Sequence, residues 1–274
     1  MLAFPDFKGF TRKLVIWNLG VFFLLLLLGV AAPALAITIF RFAALSPVLV
    51  LHGWVWQLVT YSFLHGGILG TALELLSLWF LGSFLEANHG PRWVAELYFT
   101  AVVGAGITAV LLTLAMAHGT PLLDLGGSFT GSFGGIFGLL IAFAVLYGDL
   151  QFTLFPLPIA IKAKYLVAVY MLIAIAQVFG ANRAYALAQL GGALAGYLYI
   201  RFAPRRGYSQ ASGDWYFKAR NDYYRWRRRN AAKKFEVYMR KQNREVHFDR
   251  DGKYIDPDSA PGASKNPNDR GWMN

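Results

Sequence analysis

Three residues in this chain could do chemistry in an apolar setting: Glu74, Ser132 and Gln189. Ser132 lies in Gly131-Ser132-Phe133-Gly134-Gly135-Ile136-Phe137-Gly138, a glycine-rich stretch at the head of an apolar run of helix length. Gln189 lies in Ala188-Gln189-Leu190-Gly191-Gly192, early in a later run. Acyl transfer by an enzyme nucleophile needs a hydroxyl or thiol and a group that takes its proton. The phenyl ring of Phe133 offers neither an electron pair nor a proton. Gln189 donates and accepts hydrogen bonds but does not titrate near neutral pH. Without cysteine there is no thiolate nucleophile, disulfide or thiolate metal site. Five scattered histidines lack ligand spacing, so no metal and no cofactor are expected. An ionisable group such as Glu74 is expensive in lipid and is by default a functional-site candidate. The alternative is a structural carboxyl held by a neighbour such as Gln189.

The elements that must position these residues are apolar. Hydrophobic residues make up 56% of the chain and charged residues 15%, with a mean hydropathy of +0.42; a soluble domain carries roughly 25% charged residues. A bilayer-spanning helix needs about 20 largely apolar residues. Six runs qualify: 14–31, 57–82, 97–117, 129–148, 163–180 and 185–203. Lys8, Arg12, Lys13, Arg92, Lys162 and Lys164 flank one side of these spans, and Arg41 and Arg183 the other. By the excess of cations, both termini are expected to be cytoplasmic. Lys8–Lys13, the first run and Ala34-Leu35-Ala36 also resemble a cleavable signal peptide, but the long apolar run and Asn18 favour a retained span. Residues 32–56, with Pro33, Pro47, Trp54 and Trp56, are either a loop partly embedded at the interface or an ordinary external loop.

The net charge of +11 belongs mainly to the end of the chain, because residues 1–200 hold only 8 Lys/Arg and 6 Asp/Glu. Aromatic residues and cations mingle from Asp214, a candidate helix cap, to Asn243. Arg225, Arg227, Arg228, Arg229, Lys233 and Lys234 are candidates for binding anionic lipid headgroups. A simple topology signal competes with that reading, and nucleic-acid binding is not expected of a membrane-tethered segment. Asp251-Gly252 reads as the turn of a short hairpin, and Pro257–Asn274 as a disordered end. The expected organisation is a six-helix transmembrane domain over 1–203, a basic, aromatic-rich cytoplasmic helical segment over 204–250, and a disordered tail over 251–274.

Several stretches together resemble the rhomboid intramembrane serine protease family. They are Trp56-Gln57-Leu58-Val59-Thr60-Tyr61-Ser62-Phe63-Leu64-His65-Gly66-Gly67, Leu78-Trp79-Phe80-Leu81-Gly82 to Glu86, the glycine-rich fourth run, Lys162-Ala163-Lys164-Tyr165, and the double glycine of the sixth run. The likeness covers residues 14–203 in matching order and implies an all-α, polytopic six-helix bundle. In that family a GxSG serine is the nucleophile, a histidine in the sixth span is its base, and a second-span His and Asn hold the oxyanion. Those positions fall here on Phe133, Gln189, Gly70 and Glu74, so no catalytic set is intact. His65 matches the more N-terminal histidine and is expected to be structural. A carboxylate at position 74 would oppose an oxyanion.

The resemblance therefore implies a pseudoprotease of a bacterial-type inner membrane. It would bind transmembrane helices of other membrane proteins without cutting them, with Glu74, Phe133, Gln189 and Ser132 as candidate client contacts. Gly131, Gly134, Gly135, Gly138, Gly191, Gly192 and Gly196 are read as packing residues of spans four and six, Gly192–Gly196 matching GxxxG. The competing reading is an unorthodox intramembrane endopeptidase using Ser132, although a helical turn of about 100° per residue should aim that hydroxyl away from the position of Phe133. A small transporter would need internal repeats and a polar path, and the runs have neither. The oligomeric state is not legible.

Overall fold

The computed structural model describes residues 6–117, 128–154, 159–180, 182–203, 208–242, 246–249 and 253–255. Its two compact units are Met1–Tyr208 and Ser209–Asn274. The first is a bundle of α1 (Gly9–Ala31), α2 (Pro33–Ala43), α3 (Pro47–Leu51), α4 (Gln57–Thr60), α5 (Ile68–His89), α6 (Pro91–Ala117), α7 (Phe133–Tyr147), α8 (Ala163–Val178) and α9 (Arg183–Phe202). A 3₁₀ turn covers Tyr61–Phe63, and strands β1 (Gln151–Leu154) and β2 (Ile159–Lys162) pair antiparallel between α7 and α8.

Every expected span meets a helix, with several boundaries moved. The run 57–82 is not one helix: α4 and the 3₁₀ turn give way to extended chain at Leu64, and α5 starts afresh at Ile68. Gly66-Gly67 explains the interruption, since glycine has more backbone entropy to lose in a helix than any other residue. The run 129–148 becomes helical only at Phe133, because Gly131 holds a left-handed φ of +100°. The helix α6 starts six residues before the expected span, where Pro91 supplies a fixed φ at its first position. Among the described residues, α1, α5 and Pro91–Ala115 of α6 are long and apolar enough to cross a membrane. At about 1.5 Å per residue, the 15 residues of α7 reach only about 22 Å against a hydrocarbon core of about 30 Å.

The centre of the bundle is α6, α7 and α9. A Cβ on Gly196 would lie 2.7 Å from Gly138 Cα, and one on Gly192 2.5 Å from the Gly134 carbonyl oxygen. Only glycine lets α7 and α9 approach backbone to backbone here. Tyr98 of α6 packs its fully buried ring over Gly135. At the start of the bundle, Glu86 of α5 accepts from Phe10 N (2.8 Å), Thr11 N (2.8 Å) and Thr11 Oγ1 (2.7 Å). This carboxylate serves the unsatisfied N–H groups of α1, whose own N-cap Lys8 makes no side-chain cap bond.

Residues 32–56 are structured rather than a plain loop, for they hold α2 and α3. The side chain of Gln57 is buried and ties this segment down: Nε2 donates to the Arg41 and Phe42 carbonyls, and Oε1 accepts from Ser46 N. Phe42, Trp54 and Trp56 stack with ring centroids 5.1–5.8 Å apart.

The second unit contains α10 (Tyr208–Arg240) and a two-stranded pairing of β3 (His247–Phe248) with β4 (Tyr254–Ile255). Asp214 is inside α10, not at its cap, because the helix already runs from Tyr208. The expected hairpin turn Asp251-Gly252 and the tail Pro257–Asn274 lie outside the described residues.

Candidate functional site

The site forms where extended chain turns into α7. Leu45 and Phe129 exchange backbone hydrogen bonds of 3.0 and 2.8 Å, which aligns residues 128–130 with the segment between α2 and α3. Gly131 then makes its left-handed turn while its N–H donates to the Tyr61 carbonyl at 3.1 Å. A Cβ at Gly131 would lie 3.1 Å from both Glu74 Oε2 and Tyr185 Oη, so space as well as φ favours glycine. The turn rotates Ser132 out of the helical path expected for it. Its N–H and its hydroxyl both donate to Glu74 Oε2, at 2.7 and 2.9 Å.

That contact corrects one expectation. The Ser132 hydroxyl faces the carboxylate, and the residue is fully buried. Glu74 is held by Ser132 rather than by Gln189. The carboxylate sits at the N-terminal end of α7, where backbone N–H groups and the helix dipole favour an anion. Charge-assisted bonds of this length offset part of the cost of burying Glu74.

His65 completes the polar cluster from the extended break before α5. Its side chain is entirely buried, with Nδ1 3.2 Å from the Phe63 carbonyl oxygen. Its Nε2 stands 3.4 Å from Glu74 Oε2 without hydrogen-bond geometry. An imidazole proton on Nδ1 serves Phe63, so Nε2 is the atom turned to the carboxylate. Gly70, one turn before Glu74 on α5, is exposed, and a Cβ there would meet nothing within 4 Å.

The hydrocarbon side of the site is built by Phe133, Tyr185 and Phe129. Tyr185 stacks on Phe129 at 6.1 Å and meets Phe133 edge-on at 6.1 Å, while its hydroxyl donates to the Thr130 carbonyl at 2.8 Å. Gln189, one turn further along α9, places its amide at the same hydroxyl. Between these groups and Tyr61 is a cavity of about 10 Å³, room for one water and not for a peptide. Of the candidate client contacts, Glu74, Ser132 and Gln189 are buried and Phe133 is partly exposed. Tyr185 was not legible as a site residue, although its place one helical turn before Gln189 was a signal available in the sequence.

Chemically, the arrangement is committed elsewhere. A backbone N–H at the head of α7 could stabilise an oxyanion, but the one on Ser132 already serves a resident carboxylate. Phe133 and Gln189, side by side around Tyr185, supply neither nucleophile nor base. Among the described residues no group of three or more His, Cys, Asp or Glu could hold a metal.

Comparison with known proteins places the chain in a family. Residues 16–237 match the model of a family described as "Eukaryotic integral membrane protein (DUF1751)". Over 164 residues the chain is 27% identical to Rhomboid-like protein 19 of Arabidopsis thaliana, covering 59% of this chain and 53% of that protein. It is 29% identical over 86 residues to Inactive RHOMBOID-like protein 8 of the same plant, covering 31% of this chain and 23% of that protein. The chain thus spans about half the length of the first relative and under a quarter of the second.

Proposed function

The chain belongs to the rhomboid-like eukaryotic integral membrane protein family DUF1751, and from that premise we propose that it is a pseudoprotease that binds transmembrane helices of other membrane proteins without cleaving them. It is an integral, multi-pass membrane protein. The eukaryotic description of the family and the plant origin of both relatives speak against the bacterial inner membrane expected from sequence. Both termini on the cytoplasmic side remain part of the proposal.

The observation that carries the reading is the pair of hydrogen bonds from Ser132 to Glu74 Oε2. It fills with a resident carboxyl group the place where an acyl-transfer enzyme would stabilise a transient oxyanion. With Phe133 beside it, the site keeps a fold and loses a reaction. What remains for a client is shape and polarity: the partly exposed Phe133 ring, and the open α5 surface at Gly70, Leu69 and Leu73. The relative whose name includes "Inactive" is consistent with such a role.

One observation favours the competing endopeptidase: Ser132 Oγ is 2.9 Å from a carboxylate, within reach of proton transfer. A fluorophosphonate probe on the full chain in lipid nanodiscs separates the two. No adduct is expected; an adduct mapped to Ser132, lost in Ser132→Ala, would replace the pseudoprotease by the hydrolase. For client binding, a photo-crosslinking residue at position 133 in native membranes should capture transmembrane segments of other proteins. Recovery no greater than from a crosslinker at exposed Asn88 would end the binding proposal.

A further inference from the structure

The helix α10 carries a face whose chemistry is unrelated to the site in the bundle. From Arg220 to Lys241, one residue past the end of the helix, there are nine cations against two acids, Asp222 and Glu236. Tyr223, Trp226, Arg227, Lys234, Tyr238 and Lys241 fall at i, i+3, i+4, i+11, i+15 and i+18, which a helix of 3.6 residues per turn places on one side. Both acids fall on the other side. All six side chains are exposed, the three rings at 55–57%. Away from this face, Phe248 of β3 meets Phe235 at 6.2 Å, and Ala232 is buried. The small hairpin therefore packs on α10 without touching the side that interleaves rings with cations.

We infer that this face docks on an anionic lipid surface. Tyrosine and tryptophan prefer the headgroup level, where the ring is in an apolar layer and its polar tip is wet. Arginine and lysine extend apolar stems along that layer and put their charge among phosphates and carboxylates. A helix lying flat needs both kinds of residue on one side, and the acids away from it. Chain length favours the same occupant. Five residues separate Phe202, the end of α9, from Tyr208, a tether of at most about 20 Å. A headgroup layer is always within that distance of a helix anchored in the bilayer. A soluble polyanion such as RNA gains nothing from the tether, although rings and cations could also stack and neutralise its strand.

The chain has no cysteine, so a single one reports without background. Full-length protein with Ala231→Cys, on the proposed face, or Asp222→Cys, on the other, carries an environment-sensitive dye in nanodiscs of phosphatidylcholine alone or mixed with phosphatidylserine. Iodide quenching at position 231 should fall by about threefold when phosphatidylserine is present, and recover in high salt. Position 222 should change less, and Arg227→Gln with Lys234→Gln should abolish the difference. Equal quenching in the two lipid mixtures would overturn the inference. So would protection of position 231 by a single-stranded RNA but not by phosphatidylserine, which would assign the face to nucleic acid. Neither reading depends on Glu74 or on client binding.

Discussion

Two glutamates of α5 do nearly the same thing at opposite ends of that helix. Glu86 Oε2 takes the N–H and hydroxyl of Thr11 at the head of α1, and Glu74 Oε2 takes the N–H and hydroxyl of Ser132 at the head of α7. In each pair one residue offers its amide and its side chain to a single carboxylate oxygen. The surroundings differ. Glu86 is half-buried near the end of the helix, and its other oxygen accepts from Phe10 N. Glu74 is buried beside an imidazole and against a glycine turn. A hydrogen-bond pattern by itself therefore does not mark a functional site. Dryness and the neighbouring groups do, because they set what it costs to leave the pattern unmade.

That difference can be measured. Glu74→Ala should destabilise the protein most, by about 3 kcal/mol or more, because it strands both Ser132 donors in a dry site. Unfolding in detergent micelles would show it; a loss no larger than that of Glu86→Ala would make the two carboxylates equivalent. Glu86→Ala should cost about 1–2 kcal/mol, the range of a lost helix cap, since water reaches the freed N–H groups. Next comes Ser132→Ala at about 1 kcal/mol, which removes the hydroxyl bond and keeps the amide bond. The double-mutant cycle with Glu74→Gln should then give a clear coupling energy, and additive effects would mean that the two side chains do not share one bond. Thr11→Val should be the mildest, about 0.5 kcal/mol, as the counterpart of the same deletion opposite a half-buried carboxylate.

The sequence located the apolar helices because burial in lipid leaves a one-dimensional trace. A run of about 20 apolar residues is visible without knowing any contact. The close packing of α7 on α9 could also be anticipated, since Gly134, Gly138, Gly192 and Gly196 recur at helical spacing. What escaped was local chain direction. The break at Leu64–Gly67 and the turn at Gly131 interrupt apolar runs without lowering their hydropathy, so no average over a window reveals them. The partner of Glu74 escaped for the same reason: Ser132 is 58 residues away, and its hydroxyl direction depends on the φ of the preceding glycine. The role of Tyr185 escaped because a tyrosine in an apolar run reads as ordinary packing.

Residue types alone determined that this chain resides in a membrane, that its basic charge gathers at the end, and that Phe133 and Gln189 cannot transfer a proton to or from a nucleophile. Those are properties of side chains and of their order, and folding does not change them. The tertiary structure decided which groups Glu74 serves, that His65 stands beside it, and that a water-sized cavity lies among the rings. Those depend on where a left-handed glycine sends the chain and on how closely two glycine-faced helices approach, and neither angle nor distance is written in composition.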